Sequence, residues 1–560
     1  MKRLIFAALI AGTSCANAQV PPQKWTQNYA PTLADWKAAL LYNGNTISQA
    51  LPLKVDVTGG TSTNQTVNTP AITGGTSTNQ TVNAPTITGG TSTNQTVNTP
   101  AITGGTSTNQ TINAPTISAG TAVGLEVSSA LGKVSGASVS RHLSEKLLDV
   151  VSVRDFGAKG DGKTDDTAAI NAAIAYAKST SYSGGKIFFP DGIYLISSTI
   201  NLTGSGFSLV GQSVRGATIL AGFTNANIIQ IGNQNGNDDN EKDGIYNLHI
   251  TSQNKMTDGY AIWAEGVAHL VIDNVRMDGS LNGGIDIENP VGTTFGIFLS
   301  HLWIAGIQNR GLTIGAQSSS HSTVVTDVFL SDSVILPGQS AADCGICLFG
   351  AGGFYASGVD ITSQSAYHFN NAIKMDPAGN TDVNTVMLSR VLADSSNNEN
   401  ILFSGVGPIA DVTITNGWAN TSLNGSGISF ENSQTDGVTI AATTVDSNAQ
   451  YGIVLDKGAN VAITDSRILN NSMSGSGNYD GIAVGAGVSA FSITNNQIGN
   501  GGWFNVSGHS DVHQRWGVNI SASAGAGFIV SNNRGFNNTR GFVNDQTTTT
   551  NKSIIGNVNG

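Results

Sequence analysis

The chain has 560 residues, of which 39% are hydrophobic, only 11% are charged and 69 are glycine, with a formal net charge of −11. An acidic chain this poor in charge is a mismatch for phosphate backbones, which sets nucleic acid aside as a partner. Many glycines and few helix-type charge pairs point to an all-β protein.

In chain order, Met1–Ala18 reads as a secretory signal. Lys2 and Arg3 form its charged start, Leu4–Gly12 its apolar core and Ala16-Asn17-Ala18 its small-residue cleavage site. Its removal takes the net charge from −11 to −13 and implies a secreted protein. No later segment is long and apolar enough to predict a transmembrane span. Residues 19–55 form a short N-terminal segment with one predicted helix around Leu33–Tyr42. Residues 56–120 carry four copies of a 15-residue repeat, with Gly-Gly pairs starting at Gly59, Gly74, Gly89 and Gly104. Thr, Val and Ile favour strands, and Gly-Gly and Pro punctuate them. One unit buries too little to fold alone, so the segment is either a flexible polar stalk or a β-stalk wound from several chains. Residues 121–150 are a linker. Thr164 and Asp165 then offer N-cap oxygens to a helix running to about Lys178, with Ile170, Ala173, Ile174 and Ala177 on one stripe.

The second half repeats a phrase ten times: small residue, aliphatic, any, aliphatic, any. The copies are Gly259–Trp263, Gly284–Glu288, Gly311–Gly315, Gly345–Phe349, Ala372–Asp376, Asn400–Ser404, Gly427–Glu431, Gly452–Asp456, Gly481–Gly485 and Gly517–Ser521. Each is a short strand with alternating faces, and a period of this size marks a solenoid. Second strands follow, ending at Asn416, Asp465, Asn495 and Asn532. These residues tolerate left-handed backbone and are expected to stack at a turn, in a structural role.

The run Asp155–Thr167 followed by Gly184–Tyr194 resembles the N-terminal cap of the pectate-lyase-like superfamily. That group includes polygalacturonases, rhamnogalacturonases, epimerase-like proteins and phage tailspike depolymerases. The resemblance implies a right-handed parallel β-helix over residues 151–545 with an N-terminal cap helix, and a C-terminal tail over 546–560. It also implies action on a polysaccharide. A stalk followed by a β-helix is similar to phage tailspikes, which implies a homotrimer.

Aligned copies place outward residues in columns. Glu431 and Asp456 share one column in consecutive rungs, about 4.8 Å apart in backbone. Like charges that close raise one pKa and give an acid and a base, so this pair is the first catalytic candidate. Asp286 and Glu288, two apart on one strand, are the second, with Trp263 expected beside Glu288. Trp263 suits stacking on a sugar ring, and Lys374 and Asp376 lie between the clusters as substrate-binding candidates. The loop Asn233–Asp243 offers hard oxygens that suit Ca²⁺, although its spacing is not that of an EF-hand and a solvated loop fits as well. No other cofactor and no metal site is expected. Cys344 and Cys347 start one strand, where extended backbone sets their Cα atoms roughly 10 Å apart. That is beyond the about 7 Å a disulfide tolerates, so they are expected to be packing residues.

The paired-aspartate, Gly-His-Gly and Arg-Ile-Lys motifs of polygalacturonases are missing from the rung strands, and so are the basic motifs of pectate lyases. The resemblance therefore brings no catalytic residues. Two functions fit: a secreted hydrolase or lyase that cleaves a complex or uronic-acid-containing polysaccharide, and a non-catalytic glycan-binding rod.

Overall fold

A computed structural model describes residues 150–179, 185–202, 206–232, 244–289, 294–316, 325–339, 341–363, 366–501 and 512–560, together with the backbone of short strands between Asp56 and His142. The chain divides into two compact units, 1–148 and 149–560. The signal, the N-terminal segment and the Asn233–Asp243 loop lie outside the described residues.

In the first unit each 15-residue repeat makes three three-residue strands. These pair in parallel with the same strands one repeat later, as in Val57↔Ile72, Ile72↔Ile87 and Ser62↔Ser77. The result is three sheets of five, five and four strands. The pairing runs between successive repeats of one chain, an arrangement that the composition had not singled out.

The second unit is a right-handed parallel β-helix. A 13-stranded sheet carries the first strand of each rung, and a 28-stranded sheet folds around the other two sides. The inward aliphatics, such as Ile262, Ile285, Leu312, Ile346, Ile373, Ile401, Ile428, Ile453 and Ile482, are buried in one continuous core. The helix Thr167–Ser179 joins that core through Ile170, Ala173, Ile174 and Ala177. Asp165 accepts from the amide of Thr167 at 3.0 Å at its start. The segment 546–560, expected to be a tail, instead adds the strands Lys552–Ile555 and Val558–Asn559 to the large sheet.

The glycine that opens the copies at Gly452 and Gly481 has a steric cause. It lies where the chain turns into the first strand and packs against the next rung. A Cβ added at Gly452 would stand 2.6 Å from the carbonyl oxygen of Gly481, and one at Gly481 would stand 2.8 Å from that of Gly517. At the far end of the second strands, Asn416, Asp465, Asn495 and Asn532 have φ of 52°, 52°, 60° and 55°. The side-chain ladder forms one position later: Asn496 donates to Asn533 at 3.0 Å, and Asn533 to Asn557 at 3.0 Å. The Asn496 and Asn533 amides are buried and satisfied, so they specify the turn without an unpaired cost.

Two expectations are corrected. The first copy of the phrase is in a different frame: Ile262 pairs with Ile285, Trp263 with Asp286 and Glu265 with Glu288. Trp263 therefore stands beside Asp286, not Glu288. The cause is Gly259, whose φ of 80° makes it a turn residue ahead of the strand rather than the corner residue. Second, Cys344 and Cys347 are joined by a disulfide, with Cα atoms 5.7 Å apart. The chain bends through Gly345 at the corner instead of running extended, and this closes the distance.

Candidate functional site

The outward residues of the 13-stranded sheet converge on one acidic cluster. On the strand Tyr260–Glu265 the outward side chains are Trp263 and Glu265, and on Gly283–Glu288 they are Asp286 and Glu288. Adjacent strands stand about 4.8 Å apart, so three carboxyls occupy two rungs. Glu265 and Asp286 point away from the core yet are only 3% and 4% exposed. Each carries one buried oxygen, Oε2 and Oδ1, with no hydrogen-bond partner. Buried carboxylate oxygens are costly to leave unpaired, and such exceptions call for a functional account.

The surroundings explain the electrostatics. Burial, and then the charge of Glu288, raise the Glu265 carboxyl to about 7. Burial followed by the repulsion of Glu288 raises Asp286 well above the usual carboxylate range, while Arg310 opposes the shift. Asp286 and Glu288 also share a hydrogen bond, which favours a proton between them. Tyr260 is pushed up to about 12 by burial and by the nearby charge of Asp286. Its ring lies across Gly283, where a Cβ would collide with it. The site therefore places two carboxyls that keep their protons well above the usual carboxylate range beside a third.

Arg310 organises the next rungs. Its Nε donates to Asp343 at 2.9 Å, and its guanidinium lies 4.8 Å from the Phe349 ring centre. Phe349 packs in turn on the Cys344–Cys347 disulfide. Lys374 pairs with Asp376 at 3.0 Å and with Asp343 at 3.6 Å. Ser404 donates to Asp376 at 3.1 Å. On the other side a shallow pocket of about 410 Å³ is lined by Asn225, Asn227, Gln230, Asp258, Tyr260 and Trp263.

Glu431 and Asp456 follow consecutive strands, and their amides donate to Phe403 and Phe430 carbonyls at 2.8 and 3.1 Å. Both are exposed. They lie five and six strands from Gly283–Glu288 in the sheet order, roughly 24 and 29 Å away. The structure thus gathers Trp263, Asp286 and Glu288, spaces Lys374 and Asp376 three strands away, and leaves Glu431 and Asp456 apart. Sequence reasoning missed Glu265, Tyr260 and Arg310. The match of Ile262-Trp263-Ala264-Glu265 to Ile285-Asp286-Ile287-Glu288, a 23-residue step, was the signal available for Glu265. Among the described residues no group of three or more His, Cys, Asp or Glu is placed to hold a metal ion. No helix among them is long and apolar enough to cross a membrane.

A parallel β-helix with an acidic cluster on the outer face of its first sheet is the class defined here. Residues 150–334 match the family described as rhamnogalacturonase A/epimerase, pectate lyase-like, so the β-helix opens with a pectate-lyase-like domain. Over 257 residues the chain is 28% identical to a probable glucan endo-1,3-beta-glucosidase of Arthroderma benhamiae, covering 41% of this chain and 28% of that protein. Over 46 residues it is 59% identical to the tail spike protein of an Escherichia phage, covering 8% of this chain and 6% of that one. The chain thus spans well under half the length of these relatives. Among solved structures, tailspike protein 3 of bacteriophage CBA120 is similar with a TM-score of 0.54 at 17% identity, over 76% of this chain and 64% of that one. That likeness bears on the fold.

Proposed function

We propose that the protein is a secreted polysaccharide-active enzyme that hydrolyses glycosidic bonds at Glu265, Asp286 and Glu288. One observation carries the reading: three carboxyls, two of them buried with unpartnered oxygens, lie on the outer face of a β-helix beside an aromatic side chain. A group held protonated near neutral pH is what a general acid requires. Asp286 or Glu265 gives its proton to the bridging oxygen as the bond to the sugar carbon breaks. Glu288 bonds to that carbon as the old bond breaks, and water then displaces it, its proton passing back to the acid's carboxylate, the retaining course that suits carboxyls about one strand spacing apart. The matched family description and the glucosidase relative support action on a polysaccharide.

The pair Glu431 and Asp456 is the rival site on the same face, but both side chains are exposed to solvent. The test is turnover on a panel of polysaccharides, reading new reducing ends and unsaturated-uronate absorbance together. D286N and E288Q are expected to abolish cleavage, whereas the E431Q/D456N double variant should retain it. Loss only in the double variant would move the site to Glu431 and Asp456. A folded parent inactive across the panel would favour the second reading, a glycan-binding rod of tailspike type and trimeric assembly. The partial tail-spike match is the observation behind that reading.

A further inference from the structure

We propose that the substrate is an uncharged glycan, one sugar of which sits in the pocket formed by Asn225, Asn227, Gln230, Asp258, Tyr260 and Trp263, directly beside the carboxylates. The inference rests on the site assigned above and adds to it the substrate class and the direction in which the glycan leaves the reacting bond.

Charge is the first argument. Along this face, from the strand Ile229–Gly232 to Phe369–Met375, the pocket and site residues include six carboxyl groups, of which Glu265 and Asp286 are pushed toward their neutral form, leaving Asp258, Glu288, Asp343 and Asp376 to set the negative field. Against them stand two cations, Arg310 and Lys374, both engaged by carboxylates at 2.9 and 3.0 Å. A polyuronate would bring a negative charge on every sugar into this field, where like charges repel at short range in a partly buried setting. Elimination at a uronate needs a cation to neutralise the sugar carboxylate and stabilise the carbanion-like transition state. Arg310 and Lys374 are already committed to Asp343 and Asp376. An uncharged sugar meets no such repulsion, and its hydroxyls are donors that acidic side chains can accept.

Shape and chemistry supply the second argument. The pocket of about 410 Å³ combines two aromatic side chains with three amides. Aromatic faces match the apolar C–H faces of a sugar ring, while amides donate to and accept from hydroxyls. Register places the pocket: Gln230 pairs with Trp263, and Trp263 pairs with Asp286. The pocket thus lies on the rung of Glu265 and the one before it, toward the N-terminal end from Asp286 and Glu288. A glycan bridging the two runs along the β-helix axis, with the held sugar on the N-terminal side of the bond to be broken.

The experiment uses the full chain carrying E265Q and D286N, which replace the two proton-holding acids by neutral amides, so that ligands bind without turnover and the charge of the face is kept. Calorimetry and tryptophan fluorescence follow binding of neutral gluco- and galacto-oligosaccharides and of oligogalacturonate and oligomannuronate. Neutral oligosaccharides should bind with little dependence on NaCl, and the oligouronates should not. Adding W263A should weaken neutral binding roughly tenfold, and W263F should restore most of it. Q230A, on the neighbouring strand, guards against a folding defect specific to Trp263 and should also weaken binding. Tighter, salt-sensitive binding of an oligouronate would overturn the proposal. So would neutral binding unchanged by both W263A and Q230A, or no neutral binding at all. A parent that binds neutral glycans at Trp263 without cleaving them would instead refute the catalytic assignment and leave the subsite standing.

Discussion

Replacing Glu265 by Gln should stabilise the protein at alkaline pH while impairing its activity. The carboxyl has a folded pKa of about 7 against a reference of 4.5, so the native state holds this proton more tightly than the unfolded chain does. Its contribution is fully present below pH 4.5 and is lost as pH rises through 7. A shift of 2.5 units corresponds to about 3 kcal/mol at 1.36 kcal/mol per unit. The side chain is 3% exposed, and because relaxation and water penetration relieve part of any burial penalty, this figure is a ceiling. Glutamine keeps the shape of the neutral acid and cannot ionise. Parent and E265Q should therefore differ little at pH 4, and by pH 8.5 the variant should be more stable by up to about 3 kcal/mol. Urea unfolding followed by circular dichroism at both pH values measures this, with equal slopes m confirming that the same surface is exposed. A difference between parent and variant that does not change between the two pH values would refute the argument, because it would mean that Glu265 ionises as freely when folded as when unfolded. Stability gained where activity is lost is the expected signature of a functional group held under electrostatic strain.

Removal of Arg310 by R310M leaves Asp343 with only the longer contact to Lys374 and takes away the charge that opposes the rise at Asp286. A loss of roughly 3 kcal/mol is expected, read from the urea midpoint. G452A puts a Cβ 2.6 Å from the Gly481 carbonyl, so the rung must shift, at a cost of roughly 1–3 kcal/mol in the same assay. The Cys344–Cys347 disulfide closes a loop with a sequence separation of three. Chain entropy then limits the loss in C344A/C347A to about 2 kcal/mol in non-reducing urea unfolding.

The repeat was legible because the period-2 alternation and the small corner residue are local consequences of stacking. Ile285 and Ile287 must point in, so Asp286 and Glu288 must point out, and no tertiary knowledge is needed to say so. The frame of the first copy was not legible. Gly259 satisfies the phrase, but its glycine serves a left-handed turn, and the corner falls to Ala261, opposite Gly284. Two different backbone demands select the same residue type, and only the hydrogen-bond register separates them. That shift of two positions hid Glu265 and moved Trp263 from Glu288 to Asp286. The disulfide escaped notice for a related reason, since a strand assumed extended through Gly345 in fact bends there.

Column position also proved a poor guide to chemistry by itself. Glu431 and Asp456 satisfy the like-charge argument on paper as well as Asp286 and Glu288 do, because strand spacing fixes only backbone distance. What distinguishes the second pair is cover: the Tyr260 ring laid across Gly283 and the Arg310 guanidinium over Phe349 lower the local dielectric around Asp286. Neither contact follows from periodicity, for Tyr260 and Arg310 are two rungs apart and meet only because both lean over the strand between them. An outward carboxylate on a β-helix is a solvated surface charge until something excludes water from it. Here the covering side chains turn an ordinary acidic face into a place where a proton can be held and delivered.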